Sequence, residues 1–400
     1  GFPKDENTDH YYGADKYIKV EEFQQKQSVL VVGEPGIGKS ELLKQLFNRL
    51  KNNSLPVCIL DLKMLKFYAN PDVVIDNFFE LALEKMEKKS MNNNAVLNVV
   101  ANNFHFESET NKYLILDGLD EIDTEYFEVI FKETIKLKAK YNNLNMFISC
   151  RSYYVEKHNL LFSDTSFEVV NILPFSFVQI SKYLEDLVDY DTFLNEYKGS
   201  SIINFWGKST FLNTPRYLKY YRELIEINGF DTVKEYRRYQ IIEQVIYNRI
   251  KKEIENLKIK RKNSSFNIEL IIQVLEKISL VLEMQETNII SKDDFSQFFL
   301  ESNFSLHNEI SLTQIQQNTI LKDFDKSLQF DNTEFQEYLA AKQISRTSKY
   351  EQVFYDLTID ENIKEFKHGW LNVLNFLVEI KHDLVLPVIK LGNDLDDNNL

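Results

Sequence analysis

Gly33-Glu34-Pro35-Gly36-Ile37-Gly38-Lys39-Ser40 directly follows the apolar run Ser28-Val29-Leu30-Val31-Val32 and gathers three of the chain's 11 glycines into six positions. Glycines this dense let backbone N–H groups converge on an anion, because no Cβ bars the approach. The spacing Gly33-x-x-x-x-Gly38-Lys39-Ser40 is that of a phosphate-binding P-loop, which requires a strand before it and a helix after it. Both are legible: β-branched residues fill 28–32, and Ser40 to Leu50 has the apolar spacing of a helix. The candidate nucleotide-binding residues are Gly33, Glu34, Pro35, Gly36, Ile37, Gly38, Lys39, Ser40 and Glu41. Within them Lys39 reaches the β- and γ-phosphates and the Ser40 hydroxyl binds Mg²⁺. A glycine turn that merely caps a helix is the plain alternative, and the flanking strand and helix argue against it.

A phosphate loop alone does not say whether a bond is cut. Tyr113-Leu114-Ile115-Leu116-Asp117-Gly118-Leu119-Asp120-Glu121 brings an acid to the end of another apolar run. Asp117 is placed to hold Mg²⁺ through water, and Asp120, with Glu121 as second choice, to orient or deprotonate the attacking water. The same carboxylates suit a helix start, where the macrodipole favours them. Phe147-Ile148-Ser149-Cys150-Arg151-Ser152 delivers Arg151 to the same sheet edge, where a cation can sense a γ-phosphate. A surface salt bridge is the alternative for Arg151. Cys150 reads as buried filling rather than a nucleophile. A guanine-specific [NT]KxD is absent after the strands, which leaves adenine as the base: the cofactors expected are ATP or ADP with Mg²⁺.

Around this centre, short apolar runs at 28–32, 56–61, 113–117, 145–150 and 167–172, each apolar on both faces, suit a parallel sheet covered by helices at Ser40–Leu50, Asp72–Lys88 and Thr124–Lys140. The fold class expected is an α/β P-loop NTPase domain with a doubly wound parallel sheet over 1–173, a small helical domain over 174–228, a winged-helix unit over 229–346, and the start of a helical C-terminal array over 347–400. Helical spacing marks Ser176–Leu187, Tyr190–Tyr197, Pro215–Ile227 and Tyr239–Ile254, and Lys258-Ile259-Lys260-Arg261-Lys262 reads as a charged, solvated break between helices.

With 400 residues and a 44% hydrophobic share, the chain is large enough for two or three cores. A net charge of −14 argues against general nucleic-acid binding and against an anionic membrane surface. Two cysteines, Cys58 and Cys150, form no disulfide framework, and no apolar run is long enough for a membrane helix, so a cytoplasmic location is expected. The start at Gly1-Phe2-Pro3-Lys4-Asp5, with neither methionine nor leader pattern, is read as a boundary within a longer protein.

Taken together, the P-loop, Asp117-Gly118-Leu119-Asp120-Glu121 and Arg151 resemble the NACHT-type members of the signal-transducing STAND NTPases, the NLR-like proteins. The resemblance extends to Leu173-Pro174-Phe175-Ser176, to Asn213-Thr214-Pro215-Arg216 in place of the GxP region, to Glu334-Phe335-Gln336-Glu337-Tyr338-Leu339-Ala340-Ala341, and to Trp370 through Leu377 where a sensor array begins. It implies that Pro215 lies near the adenine, and that Asn332 stands where the family often carries a histidine on the ADP phosphate. It further implies a switch that senses a protein ligand through a C-terminal array, self-associates, and activates a fused N-terminal effector. Similarity to prokaryotic antiviral NACHT (Avs) proteins points to antiphage defence and a phage-derived ligand. A scaffold that keeps ADP without hydrolysing it is the alternative; a nucleic-acid-processing ATPase is disfavoured by the acidity.

Overall fold

The computed structural model describes residues 23, 26–62, 100–102, 104–122, 124–158, 162, 167–199, 211–260, 268–285, 287–301, 320–324, 327–360, 365–366 and 368–384. The helix expected at 72–88 lies outside them. The chain divides into two compact units, one of Gly1–Phe175 with Thr214–Arg216, the other of Ser176–Asn213 with Tyr217–Leu400.

In the first unit the elements run β1 (Ser28–Val32), α1 (Lys39–Asn52), β2 (Val57–Asp61), β3 (Val100–Ala101), β4 (Lys112–Asp117), α2 (Thr124–Lys140), β5 (Leu144–Cys150), α3 (Ser152–Lys157) and β6 (Glu168–Asn171). Six strands form one sheet in the order β3-β2-β4-β5-β1-β6. Only the short edge strand β3 runs antiparallel to its neighbour; β2, β4, β5, β1 and β6 are mutually parallel. This is the α/β P-loop NTPase fold. Alternate residues of the central strands enter two separate cores, as a pleat buried on both faces requires. Leu30, Leu116 and Ile148 pack with Phe127 and Phe131 of α2 on one face, while Val29, Val31, Ile115 and Phe147 pack with Leu43, Leu46 and Leu50 of α1 on the other. Each such side chain contributes about 1.5–3 kcal/mol on burial, which fixes the register against any one-residue slip.

One strand departs from expectation. β6 is not apolar on both faces: Glu168 and Val169 are exposed, and Val169 keeps 52% of its surface in solvent. Among the described residues it pairs only with β1, at the edge of the sheet, where Val170 packs against the core and Val169 faces solvent. At the start of β4 the fully buried Lys112 donates its ammonium to the carbonyls of Phe106 and Ser108, which tie down the preceding loop. A buried lysine persists only when its donors are taken up in this way.

The second unit is built from α4 (Phe177–Leu184), α5 (Tyr190–Gly199), α6 (Pro215–Asn228, from Tyr217 onward), α7 (Phe230–Val233), α8 (Arg238–Lys260), α9 (Ile268–Met284) and α10 (Lys292–Glu301). These are followed by α11 (Thr333–Ser345), α12 (Tyr350–Thr358) and α13 (Leu371–Ile380). Three short strands, β7 (Ile289–Ser291), β8 (Leu321–Phe324) and β9 (Ser327–Phe330), form an antiparallel sheet in the order β7-β9-β8. β10 (Ile359–Asp360) and β11 (Glu365–Phe366) make a small antiparallel ladder in a region read as purely helical. Of the break expected over 258–262, residues 258–260 form the end of α8, and 261 and 262 lie outside the described residues. Among the described residues no helix is long and apolar enough to cross a membrane.

At the centre of this unit α11 packs against α9 and α13. It is not an ordinary amphipathic helix: every residue from Glu334 to Ala341 is buried. Three of its polar side chains meet partners from other elements. Glu334 accepts a 2.7 Å hydrogen bond from the Tyr217 hydroxyl, Gln336 donates to Glu283 at 2.8 Å and to the Thr287 carbonyl at 2.9 Å, and Glu337 accepts from Asn372 at 3.0 Å. Burial and the Glu337 carboxylate push the Glu283 carboxyl up to about 8, against a smaller pull from the Gln336 amide. The folded form therefore holds a proton that the unfolded form releases, so stability falls as pH rises from the ordinary carboxylate range to about 8 and levels off above it. Glu283→Gln keeps the Gln336 contact without the charge. Its thermal midpoint should exceed that of the parent above about pH 8 and converge with it in acid. A midpoint difference independent of pH would remove Glu283 from that dependence.

Candidate nucleotide-binding site

The loop between β1 and α1 owes its shape to its glycines. Gly36 and Gly38 sit at φ 76° and 103°, in the left-handed region that side chains avoid. A Cβ on Gly33 would come within 2.8 Å of Ile37 Cγ2, so that position too excludes a side chain unless Ile37 shifts. The first turn of α1 closes with Leu42 N–H on the Gly38 carbonyl at 2.9 Å. The amides at the start of a helix have no intrahelical acceptor and carry the positive end of the macrodipole. Lys39 bends back over the loop, donating to the Gly33 carbonyl at 2.6 Å and the Glu34 carbonyl at 3.1 Å. Burial lowers its pKa, the Asp120 carboxylate opposes that shift, and the Arg151 guanidinium adds to it.

The parallel register brings the ends of β1, β4 and β5 to one edge of the sheet: Val32 pairs with Cys150 and Leu116 with Ile148. Asp117 therefore emerges beside the loop, and its Oδ1 accepts from the Ser40 hydroxyl at 3.1 Å. The same oxygen accepts from Ser149 Oγ at 2.5 Å, and Ser149 Oγ in turn accepts from Gly118 N–H at 2.7 Å. Ser149 is 1% exposed and fixes both the carboxylate and the backbone that follows it. Sequence reading passed over it. The available signal was one hydroxyl inside the otherwise apolar run Phe147-Ile148-Ser149-Cys150.

Gly118, at φ 84°, turns the chain from β4 into a 3₁₀ turn over Leu119–Glu121. Asp120 and Arg151 are brought together, but on each other. Asp120 accepts from the Arg151 backbone N–H at 2.9 Å and from its Nε at 2.7 Å, and the Asp120 side chain is 3% exposed. The candidate base and the candidate phosphate sensor are thus paired in this conformation. Glu121 ends the 3₁₀ turn; its side chain lies outside the described residues. Cys150 is fully buried, and desolvation raises its thiol far above the usual range, in keeping with a filling role.

Pro215 opens α6, where its missing N–H costs nothing, and a Cβ on Gly38 would lie 3.9 Å from Pro215 Cγ. Thr214 and Arg216 lie against Gly36 in the same way. Asn332 belongs to the second unit, where it caps α11 by accepting from Glu334 N–H at 3.1 Å, and its amide donates to the Tyr220 hydroxyl at 3.4 Å.

Residues 27–190 match the NACHT domain. The chain carries a NACHT-type P-loop NTPase domain. No curated protein matches the chain. Solved structures similar to it include AMPPCP-bound DnaA from Aquifex aeolicus, 13% identical over 84% of this chain and 90% of that one with a TM-score of 0.34. The Aeropyrum pernix Orc1 protein in complex with DNA is 11% identical over 84% of this chain and 91% of that one, at 0.35. The Thermotoga maritima RuvB Holliday junction branch migration motor is 12% identical over 78% and 88%, at 0.30. Likeness at this level carries no argument about what the NACHT domain of this chain acts on.

The donor chemistry of the NACHT domain bears on whether a magnesium nucleotide suits it. Ser40 and Asp117 offer hard oxygens within 3.1 Å of each other, the set a divalent magnesium ion prefers, and the glycine backbone leaves the loop open to phosphate. They fit.

Proposed function

We propose that this chain is a NACHT-type STAND switch module that binds ATP or ADP with Mg²⁺ and hydrolyses ATP slowly. The observation that carries the reading is the convergence of the Ser40 hydroxyl and the Asp117 carboxylate beside Lys39 and the glycine loop. Ser40 and Asp117 would hold the metal, Lys39 and the loop amides the phosphates, and Pro215 would flank the adenine. When bound, the cation would supply charge neutralisation to the phosphates. Asp120, or Glu121, would take a proton from the attacking water once Arg151 leaves the carboxylate for the γ-phosphate.

The larger cycle is part of the same proposal. A protein ligand, phage-derived in a bacterial defence setting, is sensed through a C-terminal helical region, the opened chain self-associates, and a fused N-terminal effector is activated in the cytoplasm. Neither nucleic acid in general nor a membrane is a partner in this reading. The alternative, a scaffold that keeps ADP and does not hydrolyse, draws support from the Asp120–Arg151 pairing, which occupies the candidate base. Single-turnover hydrolysis of labelled ATP separates the two: product forms at a measurable rate in the first reading and not in the second.

Ser149 offers a sharper test of the metal site. Ser149→Ala removes the donor that orients Asp117, and about tenfold more Mg²⁺ should then be needed for half-maximal ATP binding, since one buried charge-assisted hydrogen bond is lost. Metal-free ADP binding should change little, and Ser149→Thr should restore the Mg²⁺ requirement. Equal loss of both affinities would make Ser149 a folding residue only.

A further inference from the structure

Thr214, Pro215 and Arg216 group with the first unit, although the residues on either side of them belong to the second. Their side chains lie on the phosphate loop. A Cβ on Gly36 would stand 3.0 Å from Thr214 Cγ2, 3.4 Å from Arg216 Cβ and 3.6 Å from Arg216 Nε. The Arg216 stem thus crosses bare backbone at the one loop position, Gly36, that has both positive φ and an arginine beside it. Arg216 is half-buried there, and α6 begins one residue before it.

The charges at this end of the sheet are already allotted in part. Lys39 is drawn onto the carbonyls of Gly33 and Glu34, and Arg151 onto Asp120. A nucleoside triphosphate carries more negative charge than Mg²⁺ and Lys39 together balance while Arg151 stays on Asp120. A guanidinium is suited to the remainder, because its planar fork meets two phosphate oxygens at once and stays charged when half-buried.

We propose that Arg216 is a phosphate-reading residue of the nucleotide site, its guanidinium contacting the terminal phosphate of a nucleoside triphosphate held in the loop and so favouring triphosphate over diphosphate. The inference rests on the reading of the loop as an ATP site. It differs from the role given to Pro215, which concerns the base. It also gives Gly36 a purpose beyond the turn: a Cβ there would crowd Thr214 Cγ2 at 3.0 Å and touch the arginine stem at 3.4 Å.

The test is Arg216→Met in the full chain, which keeps an unbranched stem over Gly36 and removes the charge. Titration calorimetry with Mg·ATP and with Mg·ADP should show ATP binding weakened about tenfold and ADP binding by less than about threefold, the size expected for one charge-assisted contact. Arg216→Lys should recover part of the ATP loss, and an unchanged melting curve for both variants rules out misfolding as the cause. ATP affinity within about twofold of the parent, or equal loss for ATP and ADP, overturns the assignment while leaving the ATP site intact. If the parent chain itself binds neither nucleotide, the underlying reading fails and this one with it.

Discussion

Lys39→Ala is expected to weaken ATP binding by at least about a hundredfold, with little change in the thermal midpoint of the nucleotide-free chain. The asymmetry follows from what the ammonium touches. Among the described residues it donates to the backbone carbonyls of Gly33 and Glu34, groups that water can serve in its absence. Burial lowers the Lys39 pKa, so the charge is held there at some cost. A phosphate in the loop would offset that cost with charge-assisted hydrogen bonds worth about 1.5–3 kcal/mol each, and 1.4 kcal/mol is tenfold in affinity. Equilibrium binding of a fluorescent ATP analogue, run beside a melting curve, measures both quantities. Affinity within about threefold of the parent would mean that Lys39 only closes the loop.

Asp120→Ala should abolish turnover while leaving ATP bound. A general base contributes about 10²–10⁴-fold to rate, and its removal leaves the P-loop contacts untouched. The substitution has a second effect, because the Asp120 carboxylate is 3% exposed and takes two hydrogen bonds from Arg151. Removing one partner of a buried pair is destabilising, by about 3 kcal/mol where both ions are deeply buried and by less here, since Arg151 is 30% exposed. The midpoint should therefore fall as well. Asp120→Asn separates the roles: its amide oxygen still accepts from the Arg151 backbone N–H while its NH₂ meets the Arg151 Nε–H, so the midpoint falls less than in Asp120→Ala, but the amide has no basicity and turnover remains lost. Equal single-turnover rates for the parent and Asp120→Ala would reject Asp120 as the base and turn attention to Glu121.

How much of this was legible in the sequence depends on whether a signal is local. The five parallel strands and the glycine loop were readable because β-branched runs bounded by glycines and acids carry their own pattern, and Val29/Val31 against Leu30/Val32 split between two cores as a doubly covered sheet demands. What failed was context. The valines of β6 look like those of β1, and only the strand order shows that β6 lies at an edge. The helix α11 carries charged and amide residues whose burial no local pattern announces, because Tyr217, Glu283 and Asn372 meet them from other elements. Ser149 and Arg216 escaped notice for the same reason: the roles argued for them depend on Asp117 and Gly36, residues far away along the chain. The pairing of Asp120 with Arg151 was equally invisible, although each residue had been singled out separately.

A crystal structure of the full chain grown with a non-hydrolysable ATP analogue and Mn²⁺ in place of Mg²⁺ addresses the account at its root. The prediction is an anomalous peak bonded to Ser40 Oγ, within one water of Asp117, with the triphosphate wrapped by residues 33–40. A nucleotide seated elsewhere, or saturating analogue and metal with no peak at Ser40, would contradict it.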